Sequence, residues 1–310
     1  MTTTALPQLE APLFVTDGGL ETCLVFNAGI DLPDFAAFPL LDTDEGRAAL
    51  RAYYEPYLAL AERQGVGMVV DTPTWRANLD WGARLGYDAD RLTEVNRRAV
   101  DFVRDLALEH PLVPVVLDGV LGPRGDGYVV EAVMGPAQAA DYHALQIGAF
   151  AGAGADMATA VTMNYVDEAI GVANAARVAS LPLVVSFTLE TDGRLPSGDT
   201  LADAIDRVDA ATDGFVAYYM INCAHPSHFA SVLEGGGSWL GRVKGIRANA
   251  SKMSHAELDE AEELDRGDPA ELAADYRDLR ARLPELRVVG GCCGTDIEHV
   301  IAITEALTTE

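Results

Sequence analysis

Short apolar segments alternate with longer amphipathic segments along the whole chain. Eight of the apolar segments are rich in Val, Ile and Leu and lack a regular polar alternation, which is typical of strands buried on both faces of a parallel sheet. In chain order they are LFVTDGG (13–19), VGMVVDT (66–72), LVPVVLDG (112–119), ADMATAVTM (155–163), LPLVVSFT (181–188), GFVAYYMINC (214–223), GRVKGIRAN (241–249) and LRVVGGCC (286–293). We therefore predict eight parallel strands.

Amphipathic segments between the strands have the periodicity of helices and begin or end at capping residues. The predicted helices cover 42–65, 88–110, 136–153, 167–179, 200–211, 226–233, 268–283 and 296–307. Pro56 lies inside the first of them and predicts a kink or a break. The acidic segment 255–278 is interpreted as a helical excursion after the seventh strand.

The repeated order of strand and helix predicts the fold class. Eight strand–helix units in a chain of 310 residues indicate an α/β protein with a (β/α)8 TIM-barrel fold. An open, doubly wound sheet is the alternative. No linker or low-complexity segment divides the chain, so one domain is expected to cover residues 1–310.

The net charge of the chain narrows the range of molecules that it is expected to bind. The chain carries 48 acidic and 22 basic residues, a formal charge of −26, which disfavours binding to nucleic acid and to anionic membranes. No apolar run approaches the roughly 18 residues of a membrane span, and the first ten residues do not resemble a secretory signal. We therefore expect a cytoplasmic protein that binds small molecules, with reduced thiols. The sequence is also compatible with a homo-oligomer.

Polar and cysteine-containing motifs follow the predicted strands. The first strand ends in Asp17–Gly19, the sixth in Asn222 and Cys223, the seventh in Asn249, and the eighth in the glycine-rich turn Gly290–Gly294. Active sites of (β/α)8 barrels lie at the carboxyl ends of the strands. Three of the four cysteines are therefore expected at one rim of the barrel, although about 70 residues separate them along the chain.

Three thiolates suit zinc, which prefers soft sulfur ligands in a tetrahedral arrangement. Glycines beside Cys292 and Cys293 would let the backbone turn so that both sulfurs reach one ion, with Cys223 as the third ligand. Core filling and a vicinal disulfide are the alternatives. Cys23 and His225 lie near the same rim, but a fourth protein ligand would leave no position for a substrate.

An open position on a zinc ion with three thiolates favours one kind of chemistry. Such an ion is a poor Lewis acid, but it can hold a substrate thiol as the nucleophilic thiolate. Alkyl transfer to sulfur is therefore favoured over hydrolysis. A zinc lyase or hydrolase acting on another small molecule, or a barrel that only binds zinc or thiols, remains an alternative.

Three segments resemble the zinc-dependent homocysteine S-methyltransferase family. They are TDGGLETCL (16–24), INCAHP (221–226) and VVGGCCGTDIEHV (288–300), and the resemblance extends over nearly the whole chain. It implies Zn²⁺ held by Cys223, Cys292 and Cys293. It also implies methyl transfer from a sulfonium or ammonium donor, namely S-methylmethionine, S-adenosylmethionine or betaine, to the thiolate of homocysteine, giving methionine.

The resemblance also implies roles for other residues. Asp17, with Gly18 and Gly19, matches residues that contact the amino acid portion of homocysteine, and Asn222 precedes the first zinc ligand. We predict Asp17 and Asn222 as catalytic residues. Predicted substrate contacts are Asp17, Gly18, Gly19, Asn249 and Gly291, the last because amides near a helix start could meet a carboxylate.

Two features depart from the family pattern or extend it. Many members carry a glutamate at the end of strand four that helps to hold the substrate amine, and Val161 stands in its place here. Another residue could bind the amine, or the acceptor could differ from homocysteine. After strand two, Trp75 and Trp81 could pack in the structure or form a wall for a cationic methyl donor.

Overall fold

Eight parallel strands form a closed barrel in the computed structural model, which describes residues 6–10, 13–131, 133–261 and 263–308. Each strand pairs with the next, and the last pairs with the first. The strands are β1 Phe14–Val15, β2 Gly67–Asp71, β3 Val115–Leu121, β4 Met157–Met163, β5 Leu183–Thr188, β6 Tyr218–Asn222, β7 Val243–Ala248 and β8 Val288–Gly291. The prediction of a (β/α)8 barrel is confirmed, and the open sheet is wrong.

Helices follow the strands and surround the barrel. They are α1 Leu20–Thr22, α2 Asp44–Gln64, α3 Leu79–Arg84, α4 Ala89–Glu109, α5 Pro136–Ala153, α6 Val166–Ala179, α7 Leu201–Thr212, α8 Pro226–Leu233, α9 His255–Asp259, α10 Pro269–Arg282 and α11 Ile297–Thr308. All eight predicted helices are present. No helix in the described part of the chain combines the length and apolarity needed to cross a membrane.

Local capping explains where the helices begin and end. Thr43 accepts a hydrogen bond from the Gly46 amide at 3.0 Å, so α2 begins directly after it. Gly65, with φ of 65°, ends the same helix in the left-handed conformation that glycine adopts without strain. Pro56 lies inside α2, but the helix is continuous across it, so the predicted break is absent.

The barrel interior has its own apolar layer, separate from the larger core between strands and helices. Its buried members are Leu6, Phe14, Val69, Val116, Met157, Val184, Tyr218, Met220 and Val288. Side chains two residues apart on a strand point to the same side, so Val116, Asp118 and Val120 of β3 all point inward. The layer closes one end of the barrel and leaves the carboxyl ends of the strands for the site.

Asp118 is a buried carboxylic acid within this interior. Only 2% of the residue is exposed, and its Oδ1 has no hydrogen-bond partner among the described residues. Burial raises the pKa of Asp118 to about 8, because the charged form loses its hydration. The folded protein is therefore more stable with Asp118 protonated than with Asp118 ionised.

Asp118→Asn is expected to make the protein more stable at high pH. The folded pKa of about 8 lies above the unperturbed value of 3.8, so wild-type stability falls as pH rises from about 4 to 8. The variant lacks this loss. Its advantage in unfolding free energy should grow over that window and then stay constant, at no more than about 6 kcal/mol. Urea unfolding at several pH values measures the effect. The exposed Asp105→Asn serves as a control, and equal pH dependence in both variants would contradict the assignment.

Candidate metal centre and substrate pocket

The three predicted ligand cysteines lie together at the carboxyl ends of β6 and β8. The Sγ atoms of Cys223, Cys292 and Cys293 all lie within 4.8 Å of one another. Cys223 and Cys292 are in disulfide contact, whereas Cys293 is a free thiol. A vicinal disulfide between the two neighbouring cysteines is therefore not formed. Folding has joined residues about 70 positions apart, as the strand-end argument predicted.

The glycine-rich turn brings both neighbouring cysteines to one side. The Cys292 amide donates to the Ala248 carbonyl of β7 at 2.8 Å, and the Cys293 carbonyl accepts from the Ala250 amide at 3.1 Å. Gly294, with φ of 78°, then reverses the backbone. Gly19 packs so closely that a Cβ atom there would overlap the Cys292 carbonyl oxygen. The DGG segment and the cysteine turn are therefore fixed against each other.

Asn222 fixes the backbone that carries Cys223. Its Oδ1 accepts hydrogen bonds from the Thr162 amide at 2.9 Å and the Ser186 hydroxyl at 2.6 Å. Its Nδ2 donates to Thr162 Oγ1 at 3.1 Å. Thr162 and Cys223 have φ of 60° and 52°, a left-handed conformation that is unusual for residues with a side chain. The strand ends are thus bent where the site lies, and the Asn222 amide joins the two bends.

The carbonyl group of Cys223 is held by two side chains. Asn249 Nδ2 donates to it at 3.1 Å, and His255 Nε2 lies 2.6 Å from it. The other ring nitrogen of His255 lies 3.1 Å from Glu190 Oε1, and the ring packs on Tyr128 with 4.2 Å between centroids. These contacts fix the orientation of the Cys223 carbonyl group.

Tyr128 also reaches the thiols directly. Its hydroxyl lies 3.4 Å from Cys223 Sγ and 3.7 Å from Cys293 Sγ. Burial raises the pKa of Cys293 to about 11, because the site offers a thiolate little solvation. A bound cation would supply the missing positive charge. Three converging sulfur donors therefore fit a thiophilic metal ion such as zinc.

The two further candidate ligands lie outside this cluster. The Cys23 thiol lies 3.4 Å from the Thr295 carbonyl oxygen, and burial raises its pKa to about 12. His225 caps α8 by accepting from the Ser227 amide at 3.2 Å, and burial lowers its pKa to about 4. Among the described residues, the group that could hold a metal is Cys223, Cys292 and Cys293 alone.

The thiols form part of an inner pocket of about 80 Å³. Besides the three cysteines, it is lined by Asp17, Gly18, Gly19, Glu21, Asp71, Val161, Asn222 and Arg247, among others. Val161, which was predicted to stand in the place of the family glutamate, lines this pocket and offers no charge to a substrate amine. Burial raises the pKa of Glu21 to about 7, and the nearby charge of Asp17 adds to this shift.

A buried ion-pair triad crosses the floor of the inner pocket. Arg247 bonds to the carboxylates of both Asp17 and Asp71, and its Nε donates to the Gly291 carbonyl at 3.0 Å. The Gly291 amide donates to the Asp17 carbonyl at 2.9 Å, and the Tyr53 hydroxyl donates to Asp17 Oδ2 at 3.1 Å. Both oxygens of Asp17 therefore already have protein partners. Gly291 supports the triad and does not line the pocket.

A larger outer pocket of about 400 Å³ adjoins the inner one. The two share the wall residues Thr22, Phe35, Trp75, Tyr128 and Cys293. The outer pocket adds Phe26, Arg76, Asp126, Asn249, Ser251, His255, Asp259, Glu263 and Asp265, among others. Four carboxylates and several aromatic rings thus surround a space that opens onto the thiols.

Of Trp75 and Trp81, the two tryptophans considered as a wall for a methyl donor, one lines these pockets. Trp75 borders both the inner and the outer pocket. Trp81 instead packs against Arg76, whose guanidinium carbon lies 3.9 Å from the Trp81 ring centroid and 4.6 Å from the Trp75 ring. The hypothesis of a wall for a cationic methyl donor therefore remains for Trp75. Trp81 packs behind Arg76.

A known protein family matches most of this chain, including the segments that carry the motifs. Residues 14–307 match the family described as homocysteine S-methyltransferase. The chain belongs to this family. The family prediction is confirmed, and with it the prediction of an enzyme of the methyltransferase class. The comparison with curated protein sequences gave no match.

Solved structures of a homocysteine methyltransferase have the same fold. The metallated form of MmuM from Escherichia coli has a TM-score of 0.76 and 19% identity, and the match covers 98% of this chain and 99% of that one. The oxidized form of MmuM has a TM-score of 0.74 and 20% identity, with coverage of 95% and 96%. At these identities the likeness shows the fold.

Several residues of this methyltransferase-family site were missed by the sequence analysis. Tyr128 comes from a loop after β3, Arg247 points inward from β7, and His255 lies in the excursion after that strand. Glu21 was overlooked although it stands inside the quoted DGG motif. An arginine within an apolar strand was a second usable signal, because a buried charge needs a partner.

Proposed function

We propose that this protein is a zinc-dependent methyltransferase that moves a methyl group from a sulfonium or ammonium donor to the thiolate of homocysteine, giving methionine. The observation that carries the proposal is the cluster of three cysteine sulfurs at the junction of a small and a large pocket. Family membership supports the acceptor and the reaction class.

The donor set supports zinc as the cofactor. Three sulfurs from Cys223, Cys292 and Cys293 would hold the ion and leave a fourth position open towards the inner pocket. When bound, zinc would keep the acceptor sulfur as a thiolate at neutral pH. We further propose a cytoplasmic location, because ligand thiols have to remain reduced.

The chain's own residues hold the acceptor next to the thiols. Gly18 and Gly19 line the inner pocket, where main-chain groups could contact the amino acid portion. Asp17 stands beside them, and its contact with Arg247 keeps its carboxylate fixed. Asn222 acts as a positioning residue in this proposal, since its amide fixes the bend that directs Cys223 into the pocket.

The outer pocket is where we place the methyl donor. Asp126, Asp259, Glu263 and Asp265 give it a negative potential, which favours a sulfonium or quaternary ammonium group. Trp75 and Tyr128 stand at the junction with the inner pocket, where ring faces can stabilise a methylated cation. Asn249 Oδ1 is buried without a partner among the described residues, so it could accept a hydrogen bond from substrate.

The reaction then needs little acid–base chemistry from the protein. The acceptor sulfur attacks the methyl carbon in line, the bond from that carbon to the donor sulfur or nitrogen breaks, and the donor leaves with the electron pair. Holding both substrates at the junction of the two pockets supplies proximity and orientation. S-methylmethionine and S-adenosylmethionine are the first donors to test, followed by betaine.

Methyl transfer is the direct test of this proposal. Zinc-loaded, reduced protein with a methyl donor and homocysteine carrying ¹³C in its carbon chain should give ¹³C-labelled methionine, detected by mass spectrometry; the label is placed on the acceptor because S-methylmethionine itself becomes methionine when it loses a methyl group. Protein stripped of metal by a chelator should lose the activity and regain it with zinc. No ¹³C-labelled methionine with any of the three donors would contradict the proposal.

A further inference from the structure

The inner pocket contains one carboxylate that the fold itself does not neutralise. Four of its described lining residues are charged, namely Asp17, Glu21, Asp71 and Arg247. Arg247 pairs with both aspartates, and these three side chains are almost fully buried together. Glu21 forms no ion pair and no side-chain hydrogen bond with another of the described residues. It is therefore the free negative charge of the pocket.

The backbone around Glu21 is fixed relative to the thiols. The Thr22 hydroxyl donates a hydrogen bond to the Gly19 carbonyl at 2.9 Å. The Thr22 hydroxyl oxygen also accepts a hydrogen bond from the Gly294 amide at 3.2 Å. Glu21 lies between these anchored residues in α1, next to the turn that carries Cys292 and Cys293. The backbone of Glu21 is therefore fixed relative to two of the three sulfurs, and its side chain lines the same pocket.

Nearby cations are engaged elsewhere. Arg247 bonds to Asp17 and Asp71, and the Arg76 guanidinium packs on the rings of Trp75 and Trp81. Lost hydration raises the pKa of Glu21, and the charges of Arg76 and Arg247 offset this shift only in part. A positively charged group brought in by a ligand would remove this deficit.

We propose that Glu21 binds the ammonium group of the acceptor amino acid and so selects amino-acid thiols over thiols without an amine. This inference rests on the proposed function, in which the acceptor sulfur lies at the three cysteines. Only a short aliphatic chain separates the sulfur and the nitrogen of homocysteine, so the ammonium group has to lie in the same small pocket. Val161 offers it no charge, and Asp17 already has partners on both oxygens.

The test compares two acceptors that differ only in the amine. Glu21→Gln keeps the shape of the side chain and removes its charge. With homocysteine, the variant should show a KM about 10- to 100-fold higher than wild type, because a charge-assisted hydrogen bond is lost. With 4-mercaptobutanoate, which lacks the amine, KM should change less than about threefold. The exposed Glu94→Gln is the matched control, with KM values and zinc content like those of wild type.

Binding separates this inference from the proposed function. Calorimetry of zinc-loaded protein should show homocysteine binding weakened by about the same factor in Glu21→Gln, whether or not methyl transfer occurs. Equal losses for both acceptors, or no loss for either, would overturn the role of Glu21. Absence of methyl transfer by wild-type protein that still binds homocysteine would overturn the proposed reaction alone. Absence of homocysteine binding by wild type would overturn both.

Discussion

Cys223→Ala is expected to abolish tight zinc binding and, with it, methyl transfer. Reduced wild-type protein should contain about one zinc ion per chain. In the variant, two sulfurs from one turn remain, and an ion bound by them would have lost one of its three protein ligands. Even loss of an outer partner of a metal ligand costs about 10- to 100-fold in affinity, so loss of a ligand should cost more than about 100-fold. Metal analysis after dialysis against a weak chelator measures this directly.

Cys23→Ala is the matched control for this experiment. Cys23 lies close to the same rim, but its thiol contacts the Thr295 carbonyl and not the cluster. That variant should retain one zinc ion per chain. All samples have to be reduced beforehand, since Cys223 and Cys292 are in disulfide contact in the structure. Equal zinc contents in wild type and Cys223→Ala would refute the three-cysteine site.

Arg247→Met is expected to destabilise the fold by about 3–5 kcal/mol, because it leaves two buried carboxylates without their cation. The side chains of Arg247, Asp17 and Asp71 are 11%, 3% and 8% exposed, so water cannot replace the lost contacts. Methionine preserves much of the arginine's apolar volume, which limits the effect of an empty space. Urea unfolding at neutral pH gives the change in unfolding free energy.

A surface ion pair serves as the control for the effect of Arg247→Met on stability. Arg51 and Glu109 lie 2.7 Å apart with side chains 42% and 55% exposed. Arg51→Met should cost less than about 1 kcal/mol, because water screens the pair. Adding Asp71→Asn to Arg247→Met should recover part of the loss, since one uncompensated charge is removed. No recovery, together with a loss as small as that of Arg51→Met, would contradict the triad as a source of stability.

The strands and helices of this barrel could be predicted because their signals are local. Apolar runs without alternation marked strands buried on both faces, and capping residues marked helix ends such as Thr43 and Gly65. Counting strand ends was then enough to bring Cys223 to Cys292 and Cys293, because parallel strands of a barrel end at one rim. Pro56 predicted a kink or a break; the break is wrong, because α2 continues through the proline, and the kink stays a prediction.

The remaining parts of the site depend on which side chains meet across the barrel. Arg247 reaches Asp17 and Asp71 from another strand, and no spacing along the chain records that encounter. Tyr128 and His255 come from loops whose paths local propensity does not determine. Glu21 was visible in the sequence, but its lack of a partner is a property of the folded pocket. Contacts between distant residues therefore account for most of what sequence reasoning missed.

If zinc binds as proposed, the division of the three sulfurs between the ends of β6 and β8 makes the complete ligand set form late. Cys292 and Cys293 follow β8, the last strand of the barrel. A growing chain on the ribosome lacks this pair until β8 has been synthesised. Zinc could thus be captured with all three sulfurs only after β8 has inserted between β7 and β1. Occupancy of the ion would then distinguish finished barrels from truncated ones.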